Sequence, residues 1–360
     1  MRTFHLGTLA LLIVAAGCGG SGSRPFYSSH TSTNGSNGAP QTAKYATPAL
    51  VAQSHTAVIE AVSPNGHLVG FDFIQNQAVY WDTPTSTPVP LQTSQSQVIA
   101  TSVNNAGQVV GFVNVANGFV PLYWANPNAT AVALAIPSGE PDARAMSINA
   151  SGQIVGMSND DPNIQSIYWS SPSATPQVLN GVGGGSPRGQ MALRISNDGH
   201  MFGITQEGIA LVWSSPSGNP TALPIPHSTY FIGYSNQELA KNPETSEAGG
   251  GAQGTTLVPV FWGANEALIS PPAPTGDTDP VVLLGIGPNH QSVGIAGTTN
   301  SVGVIWTTPT TPFKDLNTLI PSSTGWSLES AAFMLDDGSI IGQGTGPANQ
   351  SGWYLIHPNI

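Results

Sequence analysis

The chain has 360 residues, only 8% of which are charged, and 8 Lys and Arg against 19 Asp and Glu give a formal net charge of −11. A nucleic-acid-binding protein needs a basic surface to displace counterions from phosphate, and no basic cluster occurs here, so we expect no nucleic-acid partner. Because the chain has a single cysteine, it can form no disulfide framework and no metal site built from thiolates, and it offers no choice among thiol nucleophiles. The hydrophobic core must therefore stabilise the fold.

The first predicted element is a signal peptide over residues 1–17. One basic residue, Arg2, precedes an apolar stretch from Leu6 to Ala16 that is too short to span a membrane. The following Gly-Cys pair completes the sequence A-A-G-C, which resembles a bacterial lipobox, where a peptidase cuts before the cysteine and the thiol carries lipid. We therefore predict lipidation at Cys18, with an ordinary signal peptide and a chance cysteine as the alternative.

Residues 18–44 are the next predicted segment, a flexible linker. They consist mainly of Gly, Ser, Asn and Thr and contain few side chains that a core could bury. No later stretch has the eighteen consecutive apolar residues of a membrane span. The sequence thus predicts an extracytoplasmic monomer, anchored by lipid to a bacterial outer membrane or cell surface, whose folded part covers residues 45–360.

The folded part repeats at an interval near 45 residues. Seven of the eight tryptophans mark this interval, with gaps of 43, 45, 44, 49, 44 and 47 residues. They are Trp81, Trp124, Trp169, Trp213, Trp262, Trp306 and Trp353. An interval of this length is typical of one four-stranded blade of a β-propeller.

Each repeat begins with a predicted hairpin. An apolar run that closes on glycine, such as Val109 to Gly111, stands ten to thirteen residues before the tryptophan and follows a turn rich in Asn, Asp and Gly. Four repeats have an alanine at the same place in the first strand: Ala100, Ala145, Ala192 and Ala331. Small side chains there predict that the first strand is the innermost one.

The later strands of each repeat follow from composition. The third strand ends in β-branched and aromatic residues at the tryptophan, and an outer fourth strand follows about ten residues later. The last repeat stops without a fourth strand, whereas residues 46–52 resemble the outer strands of other repeats. We therefore predict an all-β, seven-bladed propeller of four-stranded antiparallel blades, closed by an N-terminal strand that completes the last blade. In that blade, either Trp353 or Leu355 would take the place of the repeated tryptophan.

These repeats resemble the HAF family of extracellular repeats, whose units run roughly A-x-x-I-N-x-x-G-Q-V-V-G followed by H-A-F-L-W. The match is closest at residues 100–111 and 145–156 and covers about residues 55–357. The H-A-F triplet is missing, and the fifth repeat departs from the pattern at residues 235–254, either as a capping loop or as decay of the repeat. The resemblance implies an exported, propeller-like protein and supplies no catalytic residues.

Motifs for catalysis and nucleotide binding are absent from the sequence, and we expect no cofactor and no metal. His67, His200 and His290 recur at nearly the same repeat position, but they belong to the first, fourth and sixth repeats, so we interpret them as turn residues. Asp160 and Asp161 have the hard oxygen ligands that Ca²⁺ prefers, with a solvated acidic loop as the favoured interpretation.

The longer loops indicate where a partner would bind. Loops between blades, and between second and third strands, emerge on one face of a propeller, and function usually lies on loops held by a rigid scaffold. The opposite face has tight hairpins, which we expect to be too short to form a pocket. We predict that a protein or glycan contacts the first face near blades two to five. The polar residues there are Glu140, Asp142, Arg144, Asp160, Asp161, Arg188 and His227.

Two other functions stay open at this point. A propeller-type polysaccharide hydrolase or lyase needs paired carboxylates inside the ring. Glu60 is the clearest carboxylate in a first strand, and Asp336 and Asp337 lie at a turn. A purely structural cell-surface component is the third possibility.

Overall fold

The fold is described by a computed structural model. The described residues are 43–158, 163–225, 230–232, 240–241, 247–253, 257–274, 276, 279–297 and 300–359. The predicted signal peptide, Cys18, most of the linker, Asp160, Asp161 and His227 lie outside them. Within these ranges no helix has the length and apolar character needed to cross a membrane.

The described strands form seven antiparallel sheets, which are the seven predicted blades. One strand, β1 (Ala49–Leu50), precedes the first blade. Blade one contains β2 (Ala57–Val62), β3 (Leu68–Asp72), β4 (Gln77–Trp81) and β5 (Val89–Pro90). Blade two contains β6 (Val98–Val103), β7 (Val109–Val115), β8 (Gly118–Trp124) and β9 (Val132–Ala133). Blade three contains β10 (Ala143–Ile148), β11 (Ile154–Ser158), β12 (Gln165–Trp169) and β13 (Gln177–Val178).

The remaining blades follow in chain order. Blade four contains β14 (Gln190–Ile195), β15 (Met201–Thr205), β16 (Ala210–Trp213) and β17 (Thr221–Ala222). Blade five contains β18 (Tyr230–Ile232), β19 (Ala240–Lys241), β20 (Ala248–Gln253), β21 (Leu257–Trp262) and β22 (Leu268–Ile269). Blade six contains β23 (Val281–Ile286), β24 (Ser292–Ala296), β25 (Val302–Trp306) and β26 (Lys314–Asp315). Blade seven contains β27 (Ser327–Leu328), β28 (Phe333–Met334), β29 (Ile340–Gly346) and β30 (Gln350–Ile356). Short 3₁₀ turns occur at Val182–Gly184, Pro288–His290, Leu316–Thr318 and Pro347–Asn349.

The first strand of a blade is the innermost, as predicted, and it carries a bulge. In five blades the pairing with the second strand skips one residue, so that in blade two Ala100 pairs with Gly111 and Ser102 with Val110. The skipped residues are Glu60, Thr101, Met146, Leu193 and Leu284. A bulge leaves the extra residue outside the ladder and increases the local twist.

The bulge explains the repeated glycine of the second strand. A Cβ added to Gly111 would lie 2.0 Å from the carbonyl oxygen of Ile99, and one added to Gly156 would lie 1.9 Å from that of Arg144. Any side chain would therefore collide with the backbone of the first strand. The glycine that closes each apolar run is required by this close approach of two strands.

Six of the repeated tryptophans connect neighbouring blades. Each is fully buried at the end of the third strand, and its indole N–H donates to a carbonyl just after the outer strand of the preceding blade. The donor-to-acceptor distance is 2.7 Å from Trp81 to Ala52 and 2.8 Å from Trp169 to Ala135. The other four acceptors are the carbonyls of Gln92, Asn180, Pro224 and Pro272.

In the last blade, the prediction for this position was wrong. In blade one the repeated glycine, Gly70, pairs with Val79, two residues before Trp81. In blade seven the matching Gly342 pairs with Tyr354, which places Ile356 where the tryptophan stands elsewhere. Trp353 and Leu355 both lie before that position, because 14 positions separate Gly342 from Ile356, against 10 to 13 between the repeated glycine and the tryptophan in blades one to four and six.

The predicted closure of the ring is confirmed. Strand β1 pairs antiparallel with β30, with Ala49 opposite Leu355, and so completes blade seven from the N-terminal side. The backbone N–H of Val51 donates to the carbonyl of Trp353 at 2.8 Å. The sheet edge of β30 is therefore covered by a strand of the same chain.

The fifth repeat contains more regular structure than its sequence indicates. The stretch 235–254, interpreted as a loop or a decayed hairpin, includes β19 and the second strand of the blade, β20. A Gly-rich sequence forms this strand because it pairs with β21 along its whole length, from Ala248 opposite Trp262 to Gln253 opposite Leu257.

Candidate functional site

The predicted binding residues lie on the long-loop face, by which we mean the loops between blades and those joining second to third strands. Blade two has a long hairpin here, because β7 and β8 pair over seven residues and end in a tight turn before Gly118. Gly118 has φ of 127°, and a Cβ on it would lie 2.3 Å from the Asp142 carboxylate. The hairpin tip thus packs directly on the loop that leads into blade three.

Arg144 lies next to this hairpin and is buried. Its guanidinium carbon is 3.9 Å from the centre of the Phe119 ring, and that ring contacts Phe112 edge-on at a centroid distance of 5.5 Å. The cation–π contact holds the charged group against the blade-two hairpin. Other blades have an apolar residue at this place in the first strand, Val58 in blade one and Ile99 in blade two.

Glu140 and Arg188 are connected through blade three. The carboxylate of Glu140 accepts a hydrogen bond at 2.8 Å from Gln165, which pairs across the backbone with Arg188. The guanidinium of Arg188 donates to the side-chain oxygen of Asn163. The structure therefore brings Glu140, Asp142, Arg144 and Arg188 to the junction of blades two, three and four, on loops that face the same way.

This junction has exposed polar side chains at its surface. Arg188 and Asn163 are exposed, and the linings of the axial cavity and of the cavity beside Lys44 include neither of them. Beneath the surface, the hydroxyls of Ser158 and Ser166 are buried without a hydrogen-bond partner. The predictions for Asp160, Asp161 and His227 concern residues outside the described ranges.

A cavity of about 110 Å³ lies on the axis of the ring. First strands of six blades form its wall, and its mouth is at the hairpin face, formed by the turns between first and second strands. Residues of those turns, Pro64, Asn105, Ala150 and Asn197, surround the mouth. The expectation that this face is too poor in loops to form a pocket was wrong, because strands, not loops, make the wall.

Two charged side chains line the axial cavity, Glu60 of β2 and Arg194 of β14. Burial raises the pKa of Glu60 to about 7, although the charge of Arg194 acts in the opposite direction. Burial likewise lowers the pKa of Arg194 to about 10, opposed by Glu60. Sequence reasoning singled out Glu60 but missed Arg194. The sequence feature that could have identified Arg194 is its charge, because blades one to three have the small residues Ala61, Ser102 and Ser147 at the same repeat position.

The carboxylate pair that a glycosidase needs is not found in the described wall of this cavity. Glu60 is the single carboxylate among its described lining residues. Asp336 and Asp337 line a separate cavity, together with Lys44 and Tyr45.

The three hairpin histidines have separate local partners. His67 stacks on Tyr80 at a centroid distance of 5.6 Å, and His200 lies 3.2 Å from the Asp198 carboxylate. His290 pairs with Glu247, a buried carboxylate of blade five. Across the described ranges, no three His, Cys, Asp or Glu side chains come close enough to hold one metal ion.

Comparisons with known proteins identify the fold. No family model matches the chain, and no curated protein matches it. Among solved structures it is similar to YCF48 bound to D1 peptide, at 13% identity and a TM-score of 0.52 over 89% of this chain and 97% of that one. It is similar to YCF48 from Cyanidioschyzon merolae, at 11% identity and a TM-score of 0.54 over 87% and 99%.

An enzyme is also among the similar structures. The GH74 enzyme from Niastella koreensis has 13% identity and a TM-score of 0.53 over 85% of this chain and 44% of that one. At such low identities these similarities show a β-propeller fold and nothing more specific.

Proposed function

We propose that this chain is an extracytoplasmic binding propeller whose long-loop face contacts a protein or glycan at the junction of blades two, three and four. The observation that carries the proposal is the convergence of Glu140, Asp142, Arg144 and Arg188 on this surface. Interaction surfaces are enriched in arginine. Arg188 is the exposed arginine of this junction, and Arg144 is buried beneath the surface against Phe119.

The shape of the surface favours a large partner over a small molecule. Small-molecule sites are concave and bury most of the ligand, whereas Arg188 and Asn163 of this junction are exposed to solvent. One similar structure is a propeller bound to a peptide, which is a precedent for binding by this fold. The described lining of the axial cavity has one carboxylate, so we favour binding over glycoside hydrolysis.

The proposed location rests on the sequence. The apolar stretch before Cys18, the A-A-G-C sequence and the Gly- and Ser-rich linker are those of a lipid-anchored bacterial protein, and the resemblance to HAF repeats points to export as well. Replacing Cys18 by serine in a bacterial host tests this directly. We expect the variant to leave the membrane fraction and to lose metabolic lipid labelling, and unchanged partitioning with unchanged labelling would refute the anchor.

The binding face is tested by a paired substitution with a matched control. A glycan and extracellular-protein array would first select a partner. The double variant Glu140→Gln with Arg188→Gln should then weaken its binding at least tenfold and leave the melting temperature unchanged. The control, Lys44→Gln with Asp337→Asn, changes the same charges on the hairpin face and should bind normally. If only the control lost binding, the site would lie on the hairpin face, and the proposal for the long-loop face would be refuted.

A further inference from the structure

The charged and hydroxyl side chains of the axial cavity come from one half of its wall, formed by blades one to four, which we call the polar half. They are Glu60, Thr101, Ser102, Ser147 and Arg194. Blades one to three add the apolar residues Ala61, Val62, Val103 and Ile148. The side chains that blades six and seven contribute are apolar: Leu284, Ile286, Ala332, Phe333 and Met334. A channel that served only to pack the inner strands would need no charge in its wall.

The two charges stand on opposite sides of the cavity. Glu60 belongs to blade one and Arg194 to blade four, which are as far apart as two blades of a seven-membered ring can be. The charge of each affects the pKa of the other, and the Arg194 guanidinium also donates to the carbonyl of Leu193 at 3.0 Å. No described residue donates a hydrogen bond to the Glu60 carboxylate, so that its oxygens are left to a molecule within the cavity.

The hydroxyls between the two charges are already engaged. Thr101 donates to the carbonyl of Ala145 at 2.8 Å, and the Ser102 hydroxyl accepts from the backbone N–H of Ile148 at 3.3 Å. These bonds fasten neighbouring first strands to each other. The hydroxyls of the polar half are therefore fixed in place by these bonds, and Glu60 and Arg194 lie at its two ends.

We propose that the axial cavity binds a small zwitterion, an α-amino acid with a short apolar side chain. Its ammonium group donates to Glu60, its carboxylate faces Arg194, and its side chain packs against Phe333 and Met334. A neutral molecule with one positive and one negative end matches a wall that has both charges on opposite sides. The site lies on the axis and the hairpin face, so it is independent of the function proposed for the long-loop face.

The volume limits the size of the ligand. A closed protein cavity of about 150 Å³ holds one benzene molecule, and the axial cavity measures about 110 Å³ with an open mouth. An amino acid with the size of alanine fits this space, whereas tryptophan exceeds it. Ordered water alone is the competing occupant, since water fills polar cavities of this kind.

The protonation of Glu60 gives the site a pH dependence. With its pKa raised to about 7, the carboxylate is charged above neutral pH and protonated below it. Arg194, the only other titratable group in the described lining, keeps its charge throughout this range. Binding of an ammonium group is therefore expected to weaken as the pH falls from 8 to 6, with no change in the ligand's own charge.

Calorimetric titration of the full chain at pH 8 tests the proposal. L-alanine should bind saturably, and N-acetyl-L-alanine, which lacks the ammonium group, and L-alaninamide, which lacks the carboxylate, should each bind at least tenfold more weakly. L-tryptophan should not bind. Absence of saturable binding by L-alanine at millimolar concentration would leave water as the occupant and overturn the proposal.

Variants then locate the binding. Glu60→Gln should lower the affinity for L-alanine at least tenfold, while Glu207→Gln, at an exposed turn between β15 and β16, should leave it unchanged. Unaltered affinity in Glu60→Gln would also overturn the proposal. The pH titration of the unmodified chain needs no variant, so the proposal stays testable if Glu60→Gln does not fold: an affinity that is constant from pH 8 to pH 6 would contradict it.

Discussion

At the scale of single residues, the hairpin asparagines of blades two and three make the largest set of bonds. The Asn104 side chain donates to Gln108 and to the carbonyl of Asn149, one blade further on, and accepts from the backbone N–H groups of Ala106 and Gln108. Asn149 repeats this arrangement toward blade four. The sequence predicted turns here from Asn and Gly, but the bond to the next blade could not be read from one repeat, because it joins residues 45 positions apart.

Asn104→Ala removes this set of bonds. It removes four side-chain hydrogen bonds, including the bond between blades, although the Asn149 carbonyl keeps the backbone N–H of Gly152 as a donor at 3.0 Å. At a net contribution of about 0.5–1.5 kcal/mol per bond, the loss of the set costs about 1–3 kcal/mol. We expect the free energy of unfolding in urea to fall by that amount. Asn126→Ala, at an exposed turn of the same blade, should change it by less than about 0.5 kcal/mol. Equal losses in both variants would show that the connection between blades contributes nothing.

Glu60 gives a second prediction at this scale. Its pKa rises from 4.5 to about 7 on folding because of burial, so the folded state binds a proton more tightly than the unfolded state. The stability that this proton contributes is complete below pH 4.5 and is lost as the pH rises through 7, by roughly 3 kcal/mol at most.

The variant Glu60→Gln has no such proton. Its free energy of unfolding relative to the unmodified chain should therefore increase between pH 4.5 and pH 7 and stay level above that range. Urea unfolding at a series of pH values measures this difference. Parallel pH profiles for the two proteins would mean that the carboxyl group titrates normally in the folded state.

At the scale of strands, the repeated tryptophan shows both the strength and the limit of the sequence pattern. The pattern predicted correctly that Trp169 and its equivalents end the third strand and are buried. It failed at Trp353, because spacing alone cannot detect that the repeat position of β30 lies three residues further on, at Ile356. The extra length is visible only from the pairing of Gly342 with Tyr354.

The difference between the two kinds of tryptophan can be measured. Trp169→Phe removes the indole donor of the Ala135 carbonyl, whereas the indole of Trp353 makes no hydrogen bond to a described residue and packs against Phe333 at a centroid distance of 5.9 Å. Both substitutions reduce buried volume. Trp169→Phe should cost about 1 kcal/mol more than Trp353→Phe, which is the typical net contribution of one hydrogen bond.

Chemical denaturation of both variants gives the comparison. A larger loss in Trp353→Phe would indicate that packing, rather than the bond to the preceding blade, fixes the spacing of the sheets.

The charged residues of the long-loop face show where the sequence pattern predicted too little. Composition predicted Arg144 as a surface residue, but it is buried against Phe119, because the sequence does not reveal how far the blade-two hairpin projects.

At the scale of the whole molecule, the ring depends on a short strand from the beginning of the folded part. Strand β1 covers the edge of β30, and the segment around it contributes buried Tyr45 and Val51 and the carbonyl of Ala52 that accepts from Trp81. The sequence predicted this closure because residues 46–52 match the outer strands of other blades. It singled out Glu60 but not Arg194, because the meeting of these two residues at one cavity depends on first strands from several blades converging on the axis.

Deleting residues 45–53 should therefore damage the entire ring. The deletion removes two buried side chains, at about 1.5–3 kcal/mol each, together with the bond to Trp81, and it exposes the edge of β30. We expect the free energy of unfolding to fall by about 4 kcal/mol or more and the protein to oligomerise through the open edge. Removing residues 19–40 of the linker should leave the melting temperature unchanged, because every described strand of the ring lies within residues 49–356. Calorimetry and size-exclusion chromatography of the two deletions distinguish the outcomes: if both tolerate the loss equally and remain monomeric, the ring is held by contacts between blades and not by the strand that closes it.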